Sequence, residues 1–417
     1  MGKTIIEKIL SSHSGNSVSA GELVVADVDF MMGHDFNGAM TIDVFKKLGR
    51  PRLAKPDNSI FVFDHAVPSP NEDYARMQQI IYEFAAEQGM KIYDVGEGIC
   101  HQVIPEKGHV LPGSLIVGSD SHTCSYGALG ALSTGVGSTD LAIALSTGKL
   151  WFKVPETIRV NFSGKLPLGV YAKDLALYTV KEFTADGASY LAMEFHGEPI
   201  RELSIDGRLT LCNMGIEMGA KTATIEADDK TAEWLRSRTN KEYSPVLADY
   251  DASYKTVKNI DISSLVPQIA LPHQVDNVVP ITSVKNIPVH SLLLGTCTNG
   301  RLEDLRIAAS ILKNQVVKKG VHLYVTPASR QILLEAIKEG LIEIFLNAGA
   351  VIEPPSCGPC GGVCGGIPGD GENMLSTANR NFKGRAGNSK SFVYLGSPAT
   401  IAASAITGFI TDPRDFL

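Results

Sequence analysis

The last third of the 417-residue chain alternates short apolar runs with amphipathic segments, and this alternation limits the folds it can adopt. The apolar runs HSLLLG (290–295), VHLYVTP (321–327) and AGAVIEP (348–354) are typical of buried strands, and residues 301–313 and 329–339 have helical periodicity. This β-α-β-α-β order predicts a parallel sheet with right-handed crossovers. In an open parallel sheet, ligand-binding groups collect beyond the carboxyl ends of the strands.

Two cysteine-bearing loops follow the first and third of these strands. The sequence GTCTNG (295–300) contains Cys297, and SCGPCGG (356–362) contains Cys357 and Cys360. Both loops are rich in glycine, which lets the backbone approach a bound group closely and direct its N–H groups inward. We therefore expect both loops to open on the same edge of one sheet.

Three thiolates in this arrangement suit either a zinc ion or an iron–sulfur cluster. Zinc would need Cys364 as a fourth ligand, and structural zinc sites normally pair two short cysteine knuckles, whereas this chain has one. The C-x-x-C turn could also be a redox pair, and a redox cluster would need four cysteine ligands. If Cys297, Cys357 and Cys360 alone hold a four-iron cluster, one iron stays open to bind and polarise a substrate hydroxyl.

Such an open iron needs groups that donate and accept protons, and cations that hold the carboxylates of a substrate. The chain carries several short motifs rich in these side chains. The candidates are Asp64 and His65 in FDH, His101 in ICHQ, Asp120, Ser121 and His122 in GSDSHT, Asn213 and Glu217 in CNMGIE, and Asn379, Arg380 and Arg385 in NRNFKGR. A single Asp-His pair is commonly structural, but three histidine-bearing motifs and an arginine pair beside the cysteine loops favour an active site.

Composition and charge argue against several other classes of protein. Lys and Arg number 38 against 45 Asp and Glu, and no basic run exceeds VKK (317–319), which disfavours binding to nucleic acid. No apolar stretch reaches the ~18 residues of a membrane helix, and the N-terminal segment lacks a secretory signal pattern. Seven cysteines, an odd number, argue against a disulfide framework. We expect a cytoplasmic protein that binds neither nucleic acid nor membrane.

Changes of pattern along the chain predict three α/β domains, over residues 1–155, 156–278 and 279–417. The first alternates strand-like runs with helical stretches. The second opens at the strand-like TIRVNFSGKL and contains a predicted helix over residues 173–183. The third contains the two cysteine loops.

Taken together, the motifs resemble those of the aconitase superfamily, and within it the large subunits of the isopropylmalate dehydratases. The likeness rests on GTCTN with SCGPC, GSDSHT, FDH, CNMGIE and NRNFKGR, and it extends from HDFNGA (34–39) to SPATIAASAITG (397–408). The resemblance implies three α/β/α domains around a central cluster cleft, without the swivelling domain of full-length aconitases. It also implies a separate small subunit, in a heterodimer or heterotetramer, that carries the swivel domain with a serine base and the loop that reads the substrate's side chain.

The resemblance further implies a role for each motif. Three cysteines resemble the ligands of one 4Fe-4S cluster with one iron not bound by protein: Cys297, Cys357 and Cys360. Three amides resemble hydrogen-bond donors to the cluster or its thiolates: Asn213, Asn299 and Asn379. The groups that resemble those orienting and protonating the departing hydroxyl are Asp64 with His65 and Asp120 with His122, with His101 and Glu217 beside the water on that iron. The residues that resemble contacts with the substrate's carboxylates are Ser121, Arg380 and Arg385.

By the same resemblance, the reaction would remove water from a hydroxy polycarboxylic acid and add it back with the positions exchanged. Overall likeness favours 2-isopropylmalate, in leucine biosynthesis, with homocitrate or 2,3-dimethylmalate as alternatives. Gly361 and the extra Cys364 stand where family members usually carry bulkier residues, which leaves the substrate more open. An iron–sulfur redox or sensing protein is the alternative from a different class.

Overall fold

The computed structural model describes residues 2–417, in which strands and helices alternate along the chain. The strands form three larger sheets, here called sheets I, II and III, and one two-stranded antiparallel sheet. The predicted α/β fold class is therefore confirmed. In the described residues, no helix combines the length and hydrophobicity needed to cross a bilayer.

Sheet I lies in the first part of the chain. The strands here are β1 (Leu23–Asp27), β2 (Phe30–His34), β3 (Ser59–Val62), β4 (Lys91–Tyr93), β5 (Leu115–Gly118), β6 (Leu132–Gly135) and β7 (Lys149–Lys153). Sheet I has the order β4-β3-β2-β5-β6 with every pair parallel, and β1 pairs with β7 in the small antiparallel sheet. The helices are α1 (Ile5–Ser14), α2 (Gly38–Lys47), α3 (Glu72–Gln88), α4 (Cys100–Glu106) and α5 (Ser138–Thr147), with 3-10 helices at Pro56–Asn58 and Ser121–Leu129.

Sheet II is smaller and also parallel throughout. Its strands are β8 (Thr157–Ser163), β9 (Ala192–His196), β10 (Thr222–Ile225) and β11 (Thr256–Asp261), in the order β10-β9-β8-β11. The helices are α6 (Ala172–Phe183), α7 (Glu198–Glu202), α8 (Ile205–Asn213) and α9 (Asp229–Arg236), with a 3-10 helix at Met214–Met218. The predicted strand at TIRVNFSGKL and the predicted helix over 173–183 are confirmed by β8 and α6.

Sheet III has seven strands and carries both cysteine loops. The strands are β12 (Gln268–Ala270), β13 (Val278–Pro280), β14 (Ser291–Gly295), β15 (His322–Thr326), β16 (Val351–Ile352), β17 (Asn373–Ser376) and β18 (Phe392–Leu395). Their order is β13-β12-β18-β17-β14-β15-β16, parallel from β18 to β16 and antiparallel around β12. The helices are α10 (Thr296–Asn299), α11 (Leu302–Leu312), α12 (Arg330–Lys338), α13 (Leu341–Ala348) and α14 (Pro398–Thr407), with 3-10 helices at Ile281–Ser283, Gly358–Gly361 and Pro413–Phe416.

The predicted β-α-β-α-β unit is confirmed, with one correction at its third strand. The prediction placed a strand over 348–354, but β16 covers only two residues, and α13 occupies the segment before it. Gly340 and Gly349, with φ of 73° and 93°, bound α13, because the left-handed conformation ends and restarts a helix at little cost for glycine. The proposed domain division at 155 and 278 stays a prediction, and sheet III already begins at β12, ahead of 278.

One hydrophobic cluster joins all three larger sheets. It contains Phe30 of β2, Val160 of β8 and Leu293 of β14, together with Cys357 and Cys360. Burial of this shared apolar surface holds the sheets in place relative to one another. The space beside the two cysteines is therefore set by how three sheets pack, and no single sheet defines it.

Candidate active site

The acid–base candidates of the first part of the chain follow adjacent strands of sheet I. β2 ends at His34, β3 is followed by Asp64 and His65, and β5 is followed by Asp120 and His122. Because β3, β2 and β5 are neighbours and parallel, their carboxyl ends lie at one edge of the sheet. Main-chain geometry alone thus brings these side chains together.

The cysteine loops follow strands of sheet III in the same way. Cys297 lies in α10 directly after β14, and Cys357 and Cys360 lie at the 3-10 helix that follows β16. Asn379 and Arg380 follow β17, which pairs with β14. The prediction that both cysteine loops open on one edge of a sheet is confirmed, since all three cysteines line the same cavity.

The first cysteine loop requires unusual backbone conformations. At Gly295 a Cβ atom would lie 2.6 Å from the Thr326 carbonyl oxygen, so only glycine fits there. Thr296 follows with φ of 72°, a left-handed conformation that is costly for a β-branched residue. The loop turns sharply here, and Cys297 is only 4% exposed as a result of the close approach to β15.

One cavity of about 190 Å³ collects most of the predicted site. The predicted residues that line it are His65, His101, Asp120, Ser121, His122, Cys297, Cys357, Cys360, Asn379, Arg380 and Arg385. The predicted residues that lie outside the lining are Asp64, Asn213, Glu217 and Asn299. Asp64, Asn213 and Glu217 each hydrogen-bond a residue that lines the cavity, so they influence the cavity through those residues.

Asp64, His65 and Asp120 form a continuous hydrogen-bonded chain. Asp64 Oδ1 lies 2.6 Å from His65 Nδ1, and its other oxygen accepts from the Cys100 backbone N–H at 2.7 Å. His65 Nε2 lies 3.3 Å from Asp120 Oδ2. Asp120 Oδ1 lies 2.6 Å from His101 Nε2 and therefore joins a second imidazole to the chain.

His122 contacts two carboxylates. The motif GSDSHT places it beside Asp120, and in the structure its backbone N–H donates to that carboxylate at 2.7 Å and its ring Nδ1 lies 3.3 Å from Asp120 Oδ1. Its other ring nitrogen, Nε2, lies 2.9 Å from Glu217 Oε1, which also accepts from Arg380 Nε at 2.8 Å. His101 is the imidazole closest to Asp120.

The network changes the proton affinities of its members. Burial lowers the pKa of His65, but the carboxylates of Asp64 and Asp120 outweigh it and raise that pKa well above the ordinary value. Burial raises the pKa of Asp120, yet hydrogen bonds and charge from the histidines, His101 above all, hold it well below the ordinary value. The pKa of Glu217 is also lowered against burial, by His122 and Arg380. A protonated His65 between ionised carboxylates is the state that this geometry favours.

The cysteine sulfurs receive hydrogen bonds from three predicted residues. Asn213 and Asn379 donate through Nδ2 to Cys297 Sγ at 3.2 and 3.3 Å. Arg385 donates through a terminal nitrogen to Cys360 Sγ at 3.3 Å. These donors would stabilise thiolates, because hydrogen bonds to the charged form favour it.

One predicted contact lies elsewhere. Asn299 donates to Asp304 at 2.8 Å, and not to a sulfur, so its predicted role toward the cluster stays a prediction. Arg385 does line the cavity, and it also contacts Cys360, so its predicted contact with a substrate carboxylate stays a prediction.

The donor set at the cavity consists of three cysteine thiols, those of Cys297, Cys357 and Cys360. A structural zinc ion normally has four protein ligands. Cys364 does not complete such a set, because it lies outside the cavity lining and its thiol donates to the Pro68 carbonyl oxygen at 3.5 Å. The donor set therefore fits an iron–sulfur cluster better than a structural zinc ion.

The sequence analysis missed three residues of the cavity wall. His34 stacks on His65 with ring centroids 4.1 Å apart, and Phe36 and Ile99 supply apolar surface. Burial, together with the charge of His65, lowers the pKa of His34 to about 4. The position of His34 at the end of a strand that neighbours β3 was the signal that could have identified it. Asp35 was missed as well, and it fixes the turn after β3 by accepting from the His65 backbone N–H at 2.9 Å.

Comparison with known proteins identifies the family and confirms the resemblance seen in the motifs. The model of the aconitase family (aconitate hydratase) matches residues 7–408. The 3-isopropylmalate dehydratase large subunit 1 of Methanopyrus kandleri is 51% identical, and that of Thermotoga maritima is 48% identical, over the full length of both chains. The probable methanogen homoaconitase large subunit of Methanosarcina mazei is 51% identical over 392 residues, which cover 94% of this chain and all of that protein. On this evidence the chain belongs to the aconitase family.

Proposed function

We propose that this chain is the large, cluster-bearing subunit of a hydro-lyase that isomerises a hydroxy polycarboxylic acid by dehydration and rehydration. The substrate we favour is 2-isopropylmalate, in keeping with the names of the relatives from M. kandleri and T. maritima. The name of the M. mazei relative supports a homoaconitase as the alternative. The observation that carries the proposal is the convergence of three cysteine thiols, histidine–carboxylate pairs and two arginines on one cavity.

In this proposal, Cys297, Cys357 and Cys360 hold one 4Fe-4S cluster and leave one iron without a protein ligand. The convergence of the three thiols on one cavity supports the assignment, and so does the position of Cys364 outside the cavity wall. When bound, the cluster supplies a Lewis acid that polarises the substrate's hydroxyl group. Asn213, Asn379 and Arg385 donate hydrogen bonds to the sulfurs, which orient the thiolates and stabilise their negative charge.

His65 is the group that protonates the departing hydroxyl. Its ring nitrogens face Asp64 and Asp120, and the raised pKa keeps the imidazole protonated near neutral pH. The two carboxylates also fix the ring, so that loss of the proton needs no rotation of the side chain. Stacking on His34 covers one face of the ring and excludes water from it.

His101 provides a second nitrogen that can bind or release a proton in the cavity. Its Nε2 is committed to Asp120 at 2.6 Å, whereas Nδ1 is buried and, within residues 2–417, has no hydrogen-bond partner. A buried nitrogen without a partner is costly unless a ligand or water satisfies it. We assign Nδ1 to the water that is removed from the substrate and later returned to it.

Two arginines and a serine suit the substrate's carboxylates. Arg380 and Arg385 line the cavity, and planar guanidinium groups bind carboxylates in a bidentate manner and keep their charge. Ser121 also lines the cavity, with its hydroxyl 3.5 Å from His122 Nδ1. Glu217 pairs with Arg380 and sets the direction of its guanidinium.

The proposal includes a partner and a location. The relatives named above are large subunits, so we assign a small subunit of the swivel type that covers the cavity and contributes the base. The pair would form a heterodimer or heterotetramer in the cytoplasm. All seven cysteines are free, as expected in a reducing compartment.

Reconstitution of the two-subunit enzyme tests the proposal. The chain is co-expressed with a small subunit from the same genome, loaded anaerobically with iron and sulfide, and assayed for the unsaturated product by ultraviolet absorbance. The assay compares 2-isopropylmalate, homocitrate and 2,3-dimethylmalate. We expect turnover of one of these acids and a change in the cluster's electron paramagnetic resonance signal when that acid is added. A fully assembled cluster that responds to none of them would support an iron–sulfur redox or sensing protein instead.

A pair of matched cysteine variants tests the ligand assignment. Cys297→Ser should lose most of the bound iron, because one of three ligands is removed. Cys364→Ser makes the same chemical change outside the cavity and should keep iron content and turnover. Full iron content and normal turnover in Cys297→Ser would rule out its role as a ligand.

A further inference from the structure

The described residues contain three cationic side chains that are fully buried: Lys173, Arg208 and Arg301. A charge transferred from water into a protein interior costs several kcal/mol unless an opposite charge compensates it. Arg208 shows the ordinary solution, since its guanidinium contacts Asp228 at 2.6 Å. In residues 2–417, no carboxylate oxygen lies within 4.0 Å of the charged groups of the other two.

Lys173 instead bonds to main-chain carbonyls. Its Nζ donates to the carbonyl oxygens of Thr377 and Ala378, at 2.8 and 2.7 Å. Carbonyl dipoles solvate an ammonium group but do not neutralise it. Lys173 also stands in the first turn of α6, where the helix dipole disfavours a cation.

Arg301 has the same kind of environment on the first cysteine loop. Its terminal nitrogens donate to the carbonyl oxygens of Cys297 and Thr298, both at 2.8 Å. The side chain of Thr298 in turn donates to Thr377 O, the carbonyl that also accepts from Lys173. These two cations, neither of which has an ion-pair partner within 4.0 Å among residues 2–417, thus hold the backbone of the two loops that surround Cys297.

The segment held by Lys173 leads directly into the cavity. Asn379, the next residue after Ala378, donates to Cys297 Sγ, and Arg380 contacts Glu217. Burial lowers the pKa of Lys173 to about 8, and negative charge on Cys297 and Cys360, and on the carboxylates of Asp304 and Glu217, acts in the opposite direction. The ammonium group is therefore one residue removed, through Ala378, from the amide that contacts Cys297 Sγ.

We propose that Lys173 is a positioning residue whose ammonium group is the buried countercharge of the thiolate-bound cluster and fixes the segment that aims Asn379 at Cys297. This inference rests on the proposed function. A 4Fe-4S cluster with three thiolates carries a net negative charge that grows on reduction, and nearby charge sets its reduction potential. The cluster supplies the charge that the protein does not provide within 4.0 Å of Lys173, and Lys173 in return stabilises the reduced and the thiolate-bound states.

Two substitutions separate charge from hydrogen bonding. Lys173→Met removes both and keeps a similar length, while Lys173→Gln removes the charge and keeps one donor for the Thr377 or Ala378 carbonyl. Lys181→Met is the matched control, because Lys181 lies on the same helix with its side chain in solvent. Each variant is reconstituted, and the midpoint potential of the cluster and the rate of iron release to a chelator are measured.

We expect both Lys173 variants to show a more negative midpoint potential and several-fold faster iron release, and Lys181→Met to match the wild type. Without the cluster, Lys173→Met should be no less stable than the wild-type chain, because an uncompensated buried ammonium is removed. An unchanged midpoint potential and iron-release rate in Lys173→Gln would overturn this inference and leave the proposed function intact. So would a Lys173→Met chain that fails to fold without cluster, since the lysine would then serve the fold. A wild-type chain that takes up no cluster would refute the proposed function, and this inference with it.

Discussion

Replacing Asp64 by asparagine removes one negative charge and one hydrogen-bond acceptor from the candidate active site while keeping the size of the side chain. Asp64 is fully buried and accepts two hydrogen bonds, from His65 Nδ1 and from the Cys100 backbone N–H. An asparagine of the same shape has only one accepting oxygen, so one of these donors would face an amide N–H. The carbonyl oxygen of residue 64 still accepts from the Cys357 backbone N–H, and cluster uptake should therefore survive.

The size of the effect follows from the contact that is lost. A hydrogen bond to a charged group contributes about 1.5–3 kcal/mol net. At about 1.36 kcal/mol per factor of ten, protonated His65 becomes about 10- to 150-fold less favourable. Because that proton goes to the departing hydroxyl in our mechanism, kcat should fall near neutral pH by up to the same factor. The deficit should shrink as the pH is lowered, since Asp64 raises the pKa of His65 and its loss moves that pKa down.

The assay is turnover of the reconstituted enzyme, divided by the cluster content of each preparation. Asp57→Asn is the matched control, because Asp57 is exposed and precedes β3, at the opposite end of the strand from Asp64. We expect normal turnover from this control. If Asp64→Asn keeps a full cluster and turns over within about twofold of the wild type, the proton-donor role of His65 is wrong.

Three further predictions concern the substrate clamp and the stability of the fold. Arg385→Lys keeps the charge but loses the planar fork, and should raise KM or lower kcat at least about tenfold; unchanged steady-state kinetics would remove Arg385 from the substrate site. Asp228→Asn leaves the buried Arg208 without its countercharge and should lower the free energy of unfolding by about 2 kcal/mol, less than for a fully buried pair because the carboxylate is partly exposed; an unchanged urea midpoint would contradict this. The His13–Asp29 pair raises the pKa of His13 despite burial, so its contribution of about 1 kcal/mol or less should be present below about pH 6.5 and disappear as the pH rises through the higher folded-state pKa. His13→Gln should flatten the pH dependence of the urea midpoint above pH ~6, and an unaltered slope would refute the assignment.

The sequence predicted the parts of the site that local patterns encode. Glycine-rich cysteine loops after apolar runs place Cys297 and Cys357 at strand ends, and the rule that parallel strands present their ligands at one edge brings them together. The same rule applies to Asp64 and Asp120 in sheet I. What it could not give was the second partner of His122: the motif GSDSHT places His122 next to Asp120, but Glu217, which lies 2.9 Å from its ring Nε2, comes from a distant segment.

Residues whose role depends on long-range packing were missed. A lysine in an amphipathic helix predicts a solvent-exposed side chain, and α6 gives no local sign that Lys173 is buried against residues 377–378. Arg301 begins a helix, a position that suggests a cap and not a support for the cysteine loop. His34 stood in a motif without a second histidine and was not selected. Lys173 acquires its role only when α6 packs against the segment after β17, and His34 only when β2 pairs with β3; no short window of sequence contains these contacts.

The arrangement of sheet III has a consequence for the order in which the protein matures. Two of the three thiols are neighbours in the chain, but the third joins them only after β15 has paired with both β14 and β16, as in Leu294↔Val325 and Val325↔Ile352. A newly made or partly unfolded chain therefore has only two neighbouring thiols to offer a metal. If the three cysteines hold the proposed cluster, its uptake would depend on the completed pairing of β14, β15 and β16, and the bound cluster would in turn stabilise that arrangement of strands.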